Sequence, residues 1–517
     1  MTSSLRFETG DLDLFSQASH DRNPLHVSDS YTRKTPFGER VVFGVLGALC
    51  CLAKLDGFRD SVLSSIDVQF VEPMFVGTDY AIAHDPRSSS EVAISILDGS
   101  RPKLRGVAKF LPGKVSSTTD WQPGQPFAPS LEAKQVSIEE LVPGYSVAGP
   151  YEPVWNALAA LLERPGLGRQ GIPGVQIAAL LWTSYLAGME LPGQQALLSR
   201  VSLTFDAPSF EHASRLTCRA TIACFDQRFN KLIADVELAT DKGMLARGRV
   251  ESFVRPQARI TSPLRLARAS ESNFRDKLGL VVGGSRGLGA CTVQALALRG
   301  CHVLANFHRS SEEAKHLQAS LEDTPGGVDL LEGDGGSREW AEGMNRSLIQ
   351  SRRRLDILVC CAAPALLPLS LESSSVERIN DYVHRSLSLV SVPLAVFLES
   401  VAENDGWAVV ISSPAVHTWP VAWPHYVSAK AAIEALTAVA ARQYRRVSFL
   451  IVRPPKLATD LTSSPLAFEN PLAPETVAEA IVRRLEGARH PGEVEFMELS
   501  SSGAWALAAS GPESPSP

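Results

Sequence analysis

The sequence predicts two successive architectures: an α+β region built from two similar blocks, then an α/β region with a doubly wound parallel sheet. Three observations lead there. In the first two blocks an apolar, helix-length run precedes an alternating strand and then a Pro. In the last block short apolar strands alternate with helix-length segments. Polar stretches rich in Pro or Ser separate the blocks at Pro112–Pro129 and from Pro256 to Asp276. Period-2 alternation marks half-buried strands, and strict strand–helix alternation marks parallel sheets covered on both faces. A chain of 517 residues also exceeds what one hydrophobic core supports.

The divisions expected are 1–120, 130–258, a linker at 259–275, a larger domain at 276–500 and a tail at 501–517. In the first block Val41–Leu55 reads as a buried helix and Ser65–Val71 as a strand. In the second, Val175–Met189 reads as the matching helix and Ser199–Phe205 as the matching strand. Arg215–Phe225, Lys231–Thr240 and Met244–Val254 follow as longer strands, so the blocks read as pseudo-equivalent halves. In the third block Leu278–Val282, Cys301–Asn306, Asp356–Cys360, Trp407–Ser412 and Ser448–Val452 are strands, and Gly287–Arg299 is the first helix.

Composition is that of an ordinary globular protein, 44% hydrophobic and 21% charged. The net charge of −6, with both signs mixed along the chain, points to neither a nucleic acid nor an anionic membrane as partner. The eight cysteines match neither a zinc spacing nor a disulfide framework. They read as buried small apolar residues in a reducing cytoplasm, with no metal site expected. Neither a signal peptide nor an apolar stretch of bilayer length is read, and a cytoplasmic location is expected.

The third block carries the clearest chemistry. In Leu280–Ala290, LVVGGSRGLGA, the glycines Gly283, Gly287 and Gly289 suit a tight strand-to-helix turn that admits a pyrophosphate at a helix N-terminus. Tyr426 and Lys430 stand four apart, on one face of a helix, and Ser413 lies thirteen residues earlier at a strand end. An ammonium favours the phenolate, so Tyr426 suits proton donation to a carbonyl oxygen that Ser413 also binds.

These residues, in this order, resemble the short-chain dehydrogenase/reductases, with their Rossmann fold, over nearly the whole block. VVGGSRGLG is similar to the family's TGxxxGxG turn, with Val282 in place of the Thr. VCCAA at Val359–Ala363 sits where the family has NNAG. VRPPKLATDL at Val452–Leu461 resembles the segment that closes over the nicotinamide. The resemblance implies Ser413, Tyr426 and Lys430 as catalytic. It implies cofactor contacts from Gly283, Ser285, Arg286, Gly287, Leu288, Gly289, Asp334, Cys361, Ala362, Tyr426, Lys430, Pro454 and Thr459. After the second strand comes Asn306-Phe307-His308-Arg309-Ser310 with no carboxylate for a ribose diol. Arg309 and Arg286 suit a 2′-phosphate instead, so NADPH is the expected cofactor. Where the family often has a proton-relay Asn this chain reads HRSLSL, and Ser386 is a candidate substitute.

In the first block Asp21 and His26 are five apart across Arg-Asn-Pro-Leu, and the Pro bends the chain so that both can face one pocket. A carboxylate with an imidazole can hold a water and move its proton, which suits reversible hydration of a conjugated double bond. Gly44, opening the apolar helix, offers an N–H to a thioester oxygen. DRNPLH and TPFGERVVFG resemble the motif and helix entry of MaoC-like, R-specific enoyl-thioester hydratases of the hot-dog fold. That resemblance implies Asp21 and His26 as the catalytic pair, Gly44 as the oxyanion donor and Asn23 as a loop brace. His20 replaces a common Gly and Phe43 a common His; Phe43 is expected to reshape the acyl pocket. The second block is similar to a hot dog without the motif, a structural half in which Trp182 and Tyr185 are core residues.

The whole is read as a double hot dog followed by a Rossmann domain. It would reduce a 3-oxoacyl thioester with NADPH and dehydrate the 3-hydroxyacyl product, in fatty-acid or polyketide-type metabolism. The acyl group rides on CoA or an acyl carrier protein, and a homo-oligomer is expected by resemblance. Two other readings stay open: a ketoreductase with an inactive acyl-binding hot dog, and a non-enzymatic nucleotide-sensing scaffold.

Overall fold

The computed structural model describes residues 2–55, 61–112, 127–163, 172–206, 216–255, 274–459, 471–499 and 505–509. Most of the expected linker and tail lies outside them. The chain forms two compact units that divide near residue 257.

The N-terminal unit begins with β1 (Thr2–Arg6), α1 (Thr9–Ser19), the single turns α2 (Pro24–Val27) and α3 (Asp29–Thr32), and α4 (Gly44–Ala53). Four strands follow: β2 (Ser61–Phe70), β3 (Asp79–Pro86), β4 (Glu91–Asp98) and β5 (Arg101–Pro112). The second half repeats the plan with β6 (Ser146–Tyr151), α5 (Trp155–Leu162), α6 (Gly174–Tyr185), β7 (Ala196–Phe205), β8 (Leu216–Asp226), β9 (Lys231–Thr240) and β10 (Gly243–Val254). All ten strands join one sheet in the order β1-β3-β4-β5-β2-β7-β10-β9-β8-β6. Counted outward from the centre, each half has the same strand order, and β2 pairs antiparallel with β7 from Ser65↔Thr204 to Gln69↔Arg200. The halves therefore share one sheet, and a single cluster of buried residues spans both.

The long helices are apolar on every side because every side is covered. All of α4 after Gly44 is buried, and so is α6 from Val175 to Tyr185. The expected helix at Val41–Leu55 starts later, because Val41 bridges Phe75 and the Val42 N–H donates to the Met74 carbonyl at 2.8 Å. The expected helix at Val175–Met189 changes pitch, and its last turn, Leu186–Glu190, is π-helical. Gln176, buried on α6, donates to the Leu63 carbonyl at 2.6 Å and accepts from the Leu63 N–H at 3.2 Å. These bonds satisfy the backbone of β2 where its register with β5 slips between Leu63 and Ser65.

The C-terminal unit alternates as expected: β11 (Leu278–Val282), α7 (Gly287–Leu298), β12 (His302–Phe307), α8 (Ser311–Ala319), β13 (Val328–Glu332), α9 (Arg338–Gln350) and β14 (Ile357–Cys360). It continues with α10 (Val376–Glu403), β15 (Trp407–Ile411), α11 (Ala415–Thr418), α12 (Pro424–Gln443), β16 (Ser448–Arg453), α13 (Pro474–Glu486), β17 (Val494–Leu499) and β18 (Trp505–Ala509). The sheet order is β13-β12-β11-β14-β15-β16-β17-β18, parallel except for β18. Helices α7 and α13 pack together, as do α9, α10 and α12, and one buried cluster lies on each face. Strand order reverses between β11 and β14, and a crevice at such a switch point is where doubly wound sheets bind ligands.

Two expectations need correction. Residues 373–403, which include α10, are long and apolar enough to cross a bilayer on length and composition alone. In this unit Val390, Leu394, Phe397, Leu398 and Val401 of α10 are buried in the core. Six cysteines are buried, but Cys224 on β8 is exposed and Cys361 is half-buried after β14.

Candidate active sites

In the N-terminal unit the segment after α1 turns sharply. His20 caps α1 at φ 61, the left-handed region where the common Gly would carry no penalty. Its Nε2 lies 3.1 Å from the Glu152 carbonyl, and its ring meets Phe127 edge-on. Asn23 caps α2 by accepting the Leu25 N–H at 3.0 Å, and Pro24 takes the first helical position. The Asn23 amide donates to the carbonyls of Gly188 (2.9 Å) and Gly193 (3.1 Å). Asn23 thus braces the loop, and it does so against the other half.

Asp21 and His26 both line a cavity of about 90 Å³, together with Gly44, Phe70, Met74 and Leu198. Asp21 is buried, and Oδ1 accepts the Asn23 N–H at 3.0 Å. Burial pushes its carboxyl up to about 7, against hydrogen bonds from Ser184 and Asn23. The His26 Nδ1 lies 2.6 Å from the Val41 carbonyl, which only accepts, so Nδ1 carries the proton and Nε2 is left as acceptor. Burial, opposed by the Val41 bond and aided by the Arg255 charge, lowers His26 to about 4. Near neutrality the pair is thus a neutral imidazole and a carboxyl at its titration midpoint. Phe43 stacks on His26 with ring centroids 3.9 Å apart. It backs the imidazole plane and does not itself line the cavity, in contrast to the expected pocket-shaping role. Gly44 is the first residue of α4, so its N–H has no partner within the helix. The Phe70 ring covers it so closely that a Cβ there would sit 2.6 Å from a ring carbon.

Sequence reasoning missed a third group at this site. The Ser184 hydroxyl, on α6, donates to Asp21 Oδ2 at 2.7 Å. The signal was present: Thr183 and Ser184, like Gln176, are polar residues inside a largely apolar helix. Trp182 is buried in the core, and Tyr185 donates to Glu190 at 3.0 Å.

In the C-terminal unit the Gly-rich turn joins β11 to α7. Gly283 has φ 80, and a Cβ there would meet the Ala362 N and Cα at 2.7 Å. Cys361 and Ala362, just past β14, both donate their N–H to the Val282 carbonyl. The bare turn and the end of β14 thus form one narrow cradle at the switch point, and α7 begins there with orphan N–H groups. Ser285 and Arg286 are half-buried in the turn, Leu288 is buried, and Gly289 meets the Gly283 carbonyl so closely that only hydrogen fits. The buried Asn306, next to last in β12, ties the cradle together, donating to the Leu331 and Gly333 carbonyls. Arg309 is exposed beyond it, and Asp334 is exposed past β13, where Oδ1 accepts the Gly336 N–H at 2.9 Å. Thr459 approaches Gly287, whose missing Cβ would sit 3.3 Å from the Thr459 methyl, and Pro454 is half-buried after β16. Asp460 and Leu461 of the closing segment lie outside the described residues.

Ser413 is buried just past β15, and Tyr426 and Lys430 share one face of α12. Burial raises the Tyr426 phenol, and its hydrogen bond with Ser413 pulls it back. Lys430 is buried, donates to the Ile411 carbonyl at 2.7 Å, and has its Nζ 5.7 Å from the centre of the Tyr426 ring. Burial lowers it to about 8, against the pull of Glu434 one turn on. Glu434 itself is held by Arg453 at 2.6 Å and by the Ser412 hydroxyl at 2.5 Å. Ser386 is buried on α10, and Tyr382 one turn before it meets His425 edge-on at 4.5 Å. The arrangement can donate a proton from a phenol backed by a cation, above a cradle fit for a dinucleotide.

Residues 277–469 match the family model for short chain dehydrogenases. The chain is 24% identical over 236 residues to 3beta-hydroxysteroid dehydrogenase 1 of Eggerthella lenta, covering 45% of this chain and 87% of that protein. It is 30% identical over 168 residues to the short-chain dehydrogenase/reductase FrzI of Cladobotryum sp, covering 31% of this chain and 62% of the relative. A fatty acyl-CoA reductase of Acinetobacter baylyi is 23% identical over 219 residues, 41% of this chain and 73% of that protein. Among solved structures, an alcohol dehydrogenase from the archaeon Thermococcus sibiricus, complexed with 5-hydroxy-NADP, is 25% identical. It covers 43% of this chain and 95% of its own, with a TM-score of 0.38. With the matched segment spanning the cradle and all three of Ser413, Tyr426 and Lys430, the C-terminal unit is a short-chain dehydrogenase/reductase domain, an oxidoreductase.

Proposed function

We propose that this chain performs two consecutive steps on one acyl thioester: NADPH-dependent reduction of a 3-oxo group, then dehydration of the 3-hydroxyacyl product to the 2-enoyl thioester. One observation carries the reading. A buried Asp and a half-buried His open onto a cavity that also meets a helix N-terminus, in the same chain as a Ser–Tyr–Lys oxidoreductase site. The ten-stranded sheet around two apolar helices supports the double hot-dog reading of the N-terminal unit.

For the reduction, the bare turn at Gly283 and the N-terminus of α7 would hold the pyrophosphate. Arg286 and Arg309 would read the 2′-phosphate. NADPH bound there would supply the hydride for the carbonyl carbon. Tyr426 gives its phenolic proton to the carbonyl oxygen, Ser413 hydrogen-bonds that oxygen, and the Lys430 ammonium stabilises the phenolate left behind.

For the dehydration, His26 Nε2 takes the proton from the carbon next to the thioester. The Gly44 N–H carries the charge that develops on the thioester oxygen. The protonated Asp21 carboxyl gives its proton to the departing hydroxyl, so water leaves and the double bond forms. His26 ends as imidazolium and Asp21 as carboxylate, and one proton passed back between them restores the start.

The proposed setting is cytoplasmic, with CoA or a carrier protein as acyl bearer, self-association through the reductase domain, and neither nucleic acid nor membrane as partner. The test is mass spectrometry of products from NADPH and a short 3-oxoacyl thioester. A gain of two hydrogens followed by loss of water is expected. Tyr426→Phe should stop the first step, and Asp21→Asn should stop the second alone. Accumulation of the 3-hydroxyacyl thioester by the wild type would leave the hot dog as a binding module.

A further inference from the structure

We propose that the half without the motif supplies a positioning residue: Ser184, on α6, acts through Asp21, and the catalytic centre is therefore built jointly by the two halves. The proposal rests on the dehydratase reading of this site.

Four contacts place the Asp21 loop on the far half. The Ser184 hydroxyl donates to Asp21 Oδ2 at 2.7 Å. The Arg22 N–H meets the Met189 sulfur at 3.1 Å. Asn23 donates to the Gly188 and Gly193 carbonyls. Gly188 lies so close to the carboxyl that a Cβ there would sit 2.3 Å from Oδ1 and 2.7 Å from Oδ2.

The Gly188 carbonyl is available because Gly188 lies in the last turn of the helix, which ends at Glu190, and the residue four positions on is Pro192, which has no N–H to donate; the carbonyl is left to Asn23. Ser184 sits just before the change of pitch. With Oδ1 taken by the Asn23 N–H and Oδ2 by Ser184, both carboxyl oxygens are oriented, and the side chain has one rotamer that serves both. Gly188 leaves the space that rotamer needs.

A hydroxyl that donates to a carboxylate stabilises the ionised form, so its removal makes Asp21 a weaker acid. The other titratable groups facing Asp21 are Tyr151 of β6 and Tyr185 of α6, both pushed upward chiefly by burial, and, in the same cavity, His26 of α2 and the Glu72–Lys103 ion pair, joined at 2.8 Å. The tyrosines stay neutral through the range in which Asp21 titrates. His26 is already neutral above about 4.

The experiment compares wild-type full-length chain with Ser184→Ala, Ser184→Thr and Gly188→Ala. The Asp21 carboxyl is titrated by infrared difference spectroscopy, with Asp21→Asn as the blank, and hydration of a short 2-enoyl thioester is followed from pH 5 to 9. Ser184→Ala should move the Asp21 titration upward by about one unit, the usual size for a hydrogen bond to a charged group. The alkaline limb of the rate profile should move with it. Ser184→Thr should restore both, and Gly188→Ala should abolish hydration in a folded protein. An unmoved carboxyl titration in folded Ser184→Ala overturns the proposal. If the wild type hydrates nothing while the infrared titration moves as stated, the dehydratase reading fails and the positioning of Asp21 by Ser184 stands.

Discussion

Replacing Asp21 by Asn should make the N-terminal unit more stable while removing its chemistry. Asp21 is buried, and burial raises its carboxyl from 3.8 to about 7. Below pH 3.8 the folded and unfolded chains are both protonated there, and the site contributes nothing to the pH dependence. Between about pH 4 and 7 the unfolded chain ionises freely while the folded one must keep its proton. Folding therefore loses about 1.4 kcal/mol per pH unit. The loss reaches about 4 kcal/mol near pH 7 and stays flat above it. Asn bears no such penalty and keeps both contacts: its oxygen accepts the Asn23 N–H, and the Ser184 hydroxyl rotates to accept from its amide. Urea-dependent hydrogen exchange of the α6 peptide in the full chain reads this unit separately from the other. The variant should match wild type near pH 4 and exceed it by about 4 kcal/mol at pH 7.5, or roughly 10 °C in Tm for a unit of this size. A gap that does not grow with pH, or a variant less stable at pH 7.5, refutes the reasoning.

Other outcomes follow from the same geometry. Lys430 is lowered to about 8 by burial, so kcat/KM for NADPH-dependent reduction should fall as pH rises through about 8, where the ammonium is lost; a limb above pH 10 would show that burial does not govern it. Gly283→Ala forces an unfavourable φ and a Cβ 2.7 Å from the Ala362 backbone, so NADPH affinity by fluorescence titration should weaken at least about tenfold while the N-terminal unit is untouched. Phe43→Ala removes the ring stacked on His26 and should cost about 3–5 kcal/mol of local stability. With water admitted, the His26 limb of the hydration profile should rise from about 4 towards 6.5.

The C-terminal site was legible because its chemistry is local in sequence. Tyr426 and Lys430 need only one helical turn to share a face. The cradle glycines lie within seven residues, and Ser413 follows directly from the end of β15. Regular alternation also made the parallel sheet readable, and β11 matches the expected strand end for end. Edges were less legible. Val41–Phe43 looked helical because apolar residues suit both states, and the competing partner, Met74, lies far along the chain. The change of pitch after Tyr185 left no mark in a run of apolar residues.

By itself the sequence determined the two apolar helices, the strand pattern of both regions, the Gly-rich turn, and the presence of Asp21 and His26 on one bent loop. All of these follow from spacing over a few residues, where backbone geometry dictates which side chains share a face. Only the tertiary structure decided that the two N-terminal halves form one sheet through β2 and β7, because strand pairing joins residues more than a hundred positions apart. It alone buried Asp21 against Ser184 and Gly188, and that burial made a carboxyl of ordinary acidity into one that titrates near neutrality, while the Ser184 hydroxyl holds it from rising further. Neither the burial nor a hydroxyl from the opposite half is encoded near residue 21.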